Sequence, residues 1–240
     1  MTSFNKFGQI HNDFIGTSFS SPLFANHLAE IIGRYGDKFE NAETLKAIAL
    51  ALSYGQRFQC KGYGEPKPLS NFNYALQALV CSEGYIPLTD KISVEHFNIG
   101  HRGQIVIFVP NNVNSIKLFV VHSDNDYLEN NPRLNTHLKV EAKKIPHDSA
   151  YGKVDSCNDS ENDRKSNMKV FEWAFPVHSM GGHWTFTITP ELTADIAPQH
   201  KRVTTIRYGC AILLSSKTPK RAESLTKEMH RYNKQMGVIV

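Results

Sequence analysis

The spacing of apolar positions changes several times along the chain, and each change predicts a different element. Phe4, Phe7, Ile10, Phe14, Ile15 and Phe19 stand among small polar residues without a clean period, which predicts an arm or short helix that docks elsewhere. Ser21-Pro22 offers an N-cap followed by proline at the first helical position; Leu28, Ile31, Ile32 and Tyr35 continue at helical spacing, and Gly36 can close the helix. Over 45–58 the apolar residues become dense and then alternate, with Tyr54-Gly55 as a turn and Phe58 and Cys60 leading into Gly62-Tyr63-Gly64, the pattern of a hairpin. Ser70 can cap a helix over 70–83, whose Tyr74, Leu76, Leu79 and Val80 give an apolar stripe that ends at Gly84.

Beyond Tyr85 the pattern turns to strands, at 92–97, 104–109, 115–121, 137–145, 168–175, 183–189 and 203–214. Seven such runs predict an antiparallel sandwich or barrel. Leu138, Val140 and Ala142 alternate with Lys139, Glu141 and Lys143, so this strand should have one buried and one wet face at the sheet's outer surface. Residues 147–167 are polar and aperiodic, the composition of a long exposed loop. At 219–236 Ala222, Leu225, Met229, Tyr232 and Met236 recur at intervals of 3, 4, 3 and 4, a narrow helical seam for a partner helix or for the chain's own domain. The expected fold is therefore mainly β with flanking helices, an antiparallel β-sandwich core over 45–215. An N-terminal arm and helix (1–36), an inserted helix at 70–83 and a C-terminal helix complete one domain of 1–240.

Composition bounds the function classes. A chain of 240 residues, 40% hydrophobic and 21% charged, has ordinary globular usage and should bury about 70–75% of its unfolded surface. The first residues lack the apolar core of a secretory signal, and no apolar run reaches the ~18 residues of a membrane span, so a soluble intracellular protein is expected. Cys60, Cys81, Cys157 and Cys210 are spread without a Cys-x-x-Cys pair, as suits reduced thiols. A formal charge of +4 with mixed signs gives no basic block for nucleic acid. Nine tyrosines and eighteen lysines titrate near pH 10. Above it, nine tyrosinates and four thiolates would take +4 to −9 before any lysine neutralises, and a close-packed assembly would repel itself.

Chemistry-bearing motifs are sparse. Cys60 with His183 is the foremost pairing for a cysteine-dependent hydrolase or deamidase, although Cys60 falls in a predicted strand and not at a helix N-terminus, where a thiol is activated. Gly181-Gly182-His183-Trp184 reads as a turn feeding a strand with Trp184 in the core. His96/His101 and His178/His183 each sit five apart, unlike the helical zinc pair. Asp124-Asn125-Asp126 and the acidic stretch 155–163 lack the glycine and distal glutamate of a calcium loop, and Gly62-x-Gly64 is too short for a dinucleotide fingerprint.

Residues 104–118, QIVIFVPNNVNSIKL, resemble the polyhedrin of cypoviruses, in which an apolar strand ends in Phe-x-Pro and, after a short turn, Ile-Lys opens the next strand. Phe108, Pro110, Ile116 and Lys117 fit that pattern, and Tyr127-Leu128, Pro132, Lys139 and Lys144-Ile145 follow in the family's order. Upstream, a tyrosine-bearing strand pair over 47–61 and a helix holding Ala75, Leu76, Ala78 and Leu79 are similar in kind; 168–188 is similar more loosely, and the first and last 40 residues do not align.

The resemblance implies a structural protein and not an enzyme: a homotrimer that stacks into crystals in the host cell cytoplasm, occlusion bodies that embed virus particles and dissolve in the strongly alkaline insect midgut. It also implies ATP or GTP as a candidate nucleotide ligand, with no contacts assigned and no cofactor required. Tyrosines that donate hydrogen bonds across an interface are expected to lose them on ionising, and Tyr54, Tyr63, Tyr74 and Tyr85 lie in or beside the matched region. Leu225, Met229, Tyr232 and Met236 are the expected helix-partner seam.

Overall fold

The structure, a computed structural model, describes residues 3–4, 10–11, 17–53, 68–87, 103–123, 136–145, 168–174, 181–192, 205–217, 224–233 and 237–239. In chain order these form β1 (Ser3–Phe4), β2 (Ile10–His11), α1 (Thr17–Tyr35), α2 (Ala42–Ser53), β3 (Gln77–Pro87), β4 (Gln104–Val109), β5 (Val113–His122), β6 (Thr136–Ile145), β7 (Met168–Ala174), β8 (Gly182–Leu192), β9 (Thr205–Ser216), α3 (Leu225–Tyr232) and β10 (Gly237–Ile239). Short 3-10 turns occupy Gly36–Lys38 and Leu69–Asn71. The fold is mainly β with flanking helices.

Beyond the β1–β2 pair, the strands make two antiparallel sheets, one of five in the order β10-β3-β9-β5-β7 and one of three in the order β4-β8-β6. Their facing sides build one core: Val80, Ile116, Leu118, Val120 and Ile212 from the larger sheet meet Ile105, Ile107, Trp184, Phe186 and Ile188 from the smaller. The Trp173 ring on β7 lies 5.5 Å from that of Phe186 on β8, an aromatic contact joining the layers. A second core covers the opposite face of the larger sheet, where Ile31 and Tyr35 of α1 and Ala47, Ile48, Ala51 and Leu52 of α2 pack on Leu79, Cys81, Phe119, Val121, Ala211 and Leu213. The strands β3, β9 and β5 of the larger sheet are thus covered on both faces, and consecutive residues such as Phe119, Val120 and Val121 are all fully buried.

Double-sided burial explains where the sequence expectation fails. The hairpin expected from 45 is instead α2 over its described part: Thr44, Ala47, Ile48, Ala51 and Leu52 are buried at helical spacing, in a segment rich in the strong helix formers Ala and Leu. The helix expected at 70–83 is instead a turn followed by β3, whose Ala78, Leu79, Val80 and Cys81 are each buried because both faces are covered. A short continuous apolar run does not by itself tell a buried helix from a buried strand. Both elements assigned upstream by the resemblance are therefore exchanged in type where they are described.

α1 begins earlier than Ser21, with Pro22 in its second turn, and it does end before Gly36; Ile31 and Tyr35 face the core while Ile32 is exposed. The later strands fall close to their expected bounds, with Val140 and Ala142 buried, Lys143 exposed and Trp184 in the core. The expected strand at 92–97 and the loop at 147–167 lie outside the described residues. α3 is shorter than expected: Ser224 caps it by accepting from Lys227 N, and Leu225 and Met229 insert into the chain's own sandwich core.

Candidate functional site

The antiparallel register of β3 and β9 sorts their side chains onto two faces. Toward the three-stranded sheet, Ser82 stands opposite Cys210 and Gly84 opposite Tyr208; toward the helices, Cys81 stands opposite Ala211 and Glu83 opposite Gly209. On the other side of β9, Val120 and His122 of β5 are the partners of Cys210 and Tyr208. Tyr208, Cys81 and Cys210 are all buried, and Glu83 is half-buried between them and α2.

Two glycines make this packing possible. A Cβ on Gly84 would meet the Tyr208 ring at 3.1 Å, so the hydroxyl end of the ring sits against β3 where a side chain is missing. The Tyr208 phenol hydrogen-bonds with the backbone of Gly103, next to the start of β4, and with the Ser82 side chain, which ties the two sheets together. A Cβ on Gly209 would run into the backbone of Glu43 and Thr44, so the first turn of α2 rests directly on β9. There the Glu83 carboxylate accepts from Glu40 N at 3.0 Å, Asn41 N at 3.1 Å and Thr44 Oγ1 at 2.7 Å. An anion at a helix N-terminus satisfies backbone donors and complements the helix dipole. Arg207 on β9 adds an ion pair to Glu43 at 3.4 Å.

This environment holds protons tightly. Burial pushes the Tyr208 phenol well above its ordinary value, with the nearby Cys210 adding to the effect. Burial likewise pushes the Cys210 thiol up to about 12, assisted by Glu83, and its Sγ donates to Ser82 O at 3.3 Å. Cys81 rises well above an ordinary thiol through burial, Cys210 and Glu83, and Tyr35 rises through burial and then its neighbour Tyr74. An activated cysteine requires the opposite shift, so Cys81 and Cys210 are built as neutral core thiols and not as nucleophiles.

The residues singled out from sequence fall in several places. Tyr54, Cys60, Tyr63 and Met236 lie outside the described residues. Tyr74 is half-buried, its ring 5.1 Å from that of Phe72 and its hydroxyl donating to Leu69 O at 3.1 Å. Tyr85 is 50% exposed near the end of β3, opposite Arg207. His183 is exposed on the outer face of β8, its ring 5.2 Å from that of Phe108, and Tyr232 is exposed with its ring 4.5 Å from the same phenylalanine. Sequence reasoning missed Tyr208, Tyr35 and Glu83. The available signal was Tyr208-x-Cys210 inside an apolar run, which puts a phenol and a thiol on one buried face of a strand.

Among the described residues no three His, Cys, Asp or Glu side chains group to hold a metal ion, and no helix is long and apolar enough to cross a membrane. No family model and no curated protein matches the chain.

Proposed function

We propose that the chain is a structural protein that packs against copies of itself, as trimers stacked in an intracellular crystal that encloses virus particles, and that strongly alkaline pH disperses the crystal. The resemblance to cypovirus polyhedrins supports this through 104–188: β4 ends just before Pro110, a turn closed by Val113 N donating to Pro110 O at 3.1 Å follows, and Ile116-Lys117 lie in β5. Support from the upstream segment falls away with the exchange of its helix and strand.

The observation that carries the alkaline response is the protonated cluster of Tyr208, Cys210 and Cys81 beside Glu83. A neutral acid whose folded pKa lies above its unfolded one favours the folded state in full below the unfolded pKa, and that advantage is lost as pH rises through the folded value. For Cys210, whose ordinary value is 9.0 and whose buried value is about 12, the loss reaches about 4 kcal/mol by pH 12. Tyr208 and Cys81 add to it in the same direction. Each ionisation also places a negative charge near the Glu83 carboxylate. Between copies, Tyr85 is available for contact because it is exposed, whereas the Tyr74 hydroxyl is already engaged within the chain. ATP or GTP stays a candidate ligand on the resemblance alone.

Expression of the chain alone in insect cells tests the reading. Micrometre-scale crystalline bodies that persist at neutral pH and dissolve above about pH 10, where phenols and thiols ionise, are the expected result. A dispersed monomer at high concentration, or turnover of a substrate, would end it.

A further inference from the structure

As far as the described residues go, β4 lies at the edge of its sheet. Among the described residues its one strand partner is β8, and Ile188 N donating to Gly103 O at 2.6 Å fixes the phase of that ladder. Odd-numbered residues of β4 therefore bond toward β8, and Gln104, Val106 and Phe108 direct their backbone groups to the far edge. The segment, Gln-Ile-Val-Ile-Phe-Val, is uncharged, free of Pro and Gly, and β-branched or aromatic at every position but the first. Those are the features of a six-residue stretch that adds strands of its own kind, and an exposed edge is where it would do so. Ile105, Ile107 and Val109 point into the core, while Val106 is 50% exposed.

At one point the edge is closed by a side chain. Phe108 N donates to Asn233 Oδ1 at 2.8 Å, and Asn233 Nδ2 donates to Phe108 O at 3.1 Å, so the amide reproduces the two bonds that one residue of a neighbouring strand would make. Asn233 is buried, and it is held at the C-cap of α3 by its backbone N and its Nδ2, both donating to Met229 O. Met229 is anchored in the sandwich core, and Tyr232 lays its ring against Phe108 beside the amide.

We propose that the β4 edge is a latent docking site for the β4 edge of a second copy of this chain, and that Asn233 on α3 is the latch that keeps it closed. Antiparallel β4–β4 pairing is two-fold symmetric, so the same six residues supply both halves of the contact and the pair closes as a dimer. This pairing is separate from crystal packing: it occurs in dilute solution at neutral pH once the latch is released.

The test compares the full chain with Asn233→Ala by sedimentation velocity over a range of concentrations, together with hydrogen exchange of the peptide covering 104–109. Asn233→Ala is expected to dimerise at least about tenfold more tightly than the parent chain, with 104–109 gaining protection as concentration rises. Adding Val106→Lys, a charge on the exposed edge, is expected to return the variant to the parent's behaviour. Association no stronger than the parent's, or association that Val106→Lys does not suppress, overturns the proposal. If Asn233→Ala does not fold, Asn233→Asp replaces it: it keeps the acceptor for Phe108 N and loses the donor to Phe108 O, and the same outcomes decide.

Discussion

At the scale of single residues, Tyr208 combines two opposed effects. Its phenol bonds Gly103 and Ser82, so Tyr208→Phe should cost about 1 kcal/mol at neutral pH, the net value of a buried hydrogen bond. The same substitution removes a proton that the fold must otherwise retain in alkali. Stability curves of parent and variant, measured by denaturant unfolding from pH 7 to 12, should therefore converge above pH 10 as the parent loses stability faster. Parallel curves would mean that Tyr208 takes no part in the alkaline response. Crystals of the variant should dissolve at a higher pH than those of the parent.

At the scale of elements, Glu83 shows how a helix and a strand specify each other. Its carboxylate caps α2 from β3, and the contact requires the bare backbone of Gly209 on the neighbouring strand. Glu83→Gln keeps the shape and one acceptor oxygen but loses the charge facing the helix N-terminus. A loss of about 1–2 kcal/mol is expected in equilibrium unfolding at neutral pH. Such a cap is invisible in sequence because residue 83 lies 39 positions from Thr44. β6 was legible for the converse reason: one face meets the core and the other water, so Leu138, Val140 and Ala142 alternate with Lys139, Glu141 and Lys143 in its own residues, whereas β4 alternates only in burial. β3 carries no such signature over Ala78, Leu79, Val80 and Cys81, where both faces are covered by neighbours distant in sequence, and in α2 the buried Ala49 and Ser53 blur the helical spacing. The seam of α3 was legible as apolar spacing, but its partner was not; Leu225 and Met229 turn out to complete the sandwich.

At the scale of the whole molecule, two routes to alkaline dispersal make different demands on salt. Repulsion between copies, driven by the swing from a formal +4 to −9, acts through solvent and should weaken as about 1 M salt shortens the screening length to roughly 3 Å. Ionisation of Tyr208, Cys81 and Cys210 inside the core is shielded from ions and should respond little. If the core cluster dominates, the pH at which crystals dissolve should stay nearly constant from low to high salt; a marked upward shift would assign the response to surface charge.

The order of strands in the larger sheet also bears on how the molecule is made. β3 and β5 never touch as neighbours; β9, from Thr205–Ser216, must slide between them. A nascent chain halted before that point would leave the two earlier strands with open sides and helices α1 and α2 without the middle of their floor, Ala211 and Leu213. Synthesis therefore runs long past the first 120 residues before the centre can close, a topology dominated by distant pairings and correspondingly slow to fold. Chains truncated upstream of β9 should appear in cells as chaperone-bound or proteolysed fragments, whereas those that include it should survive.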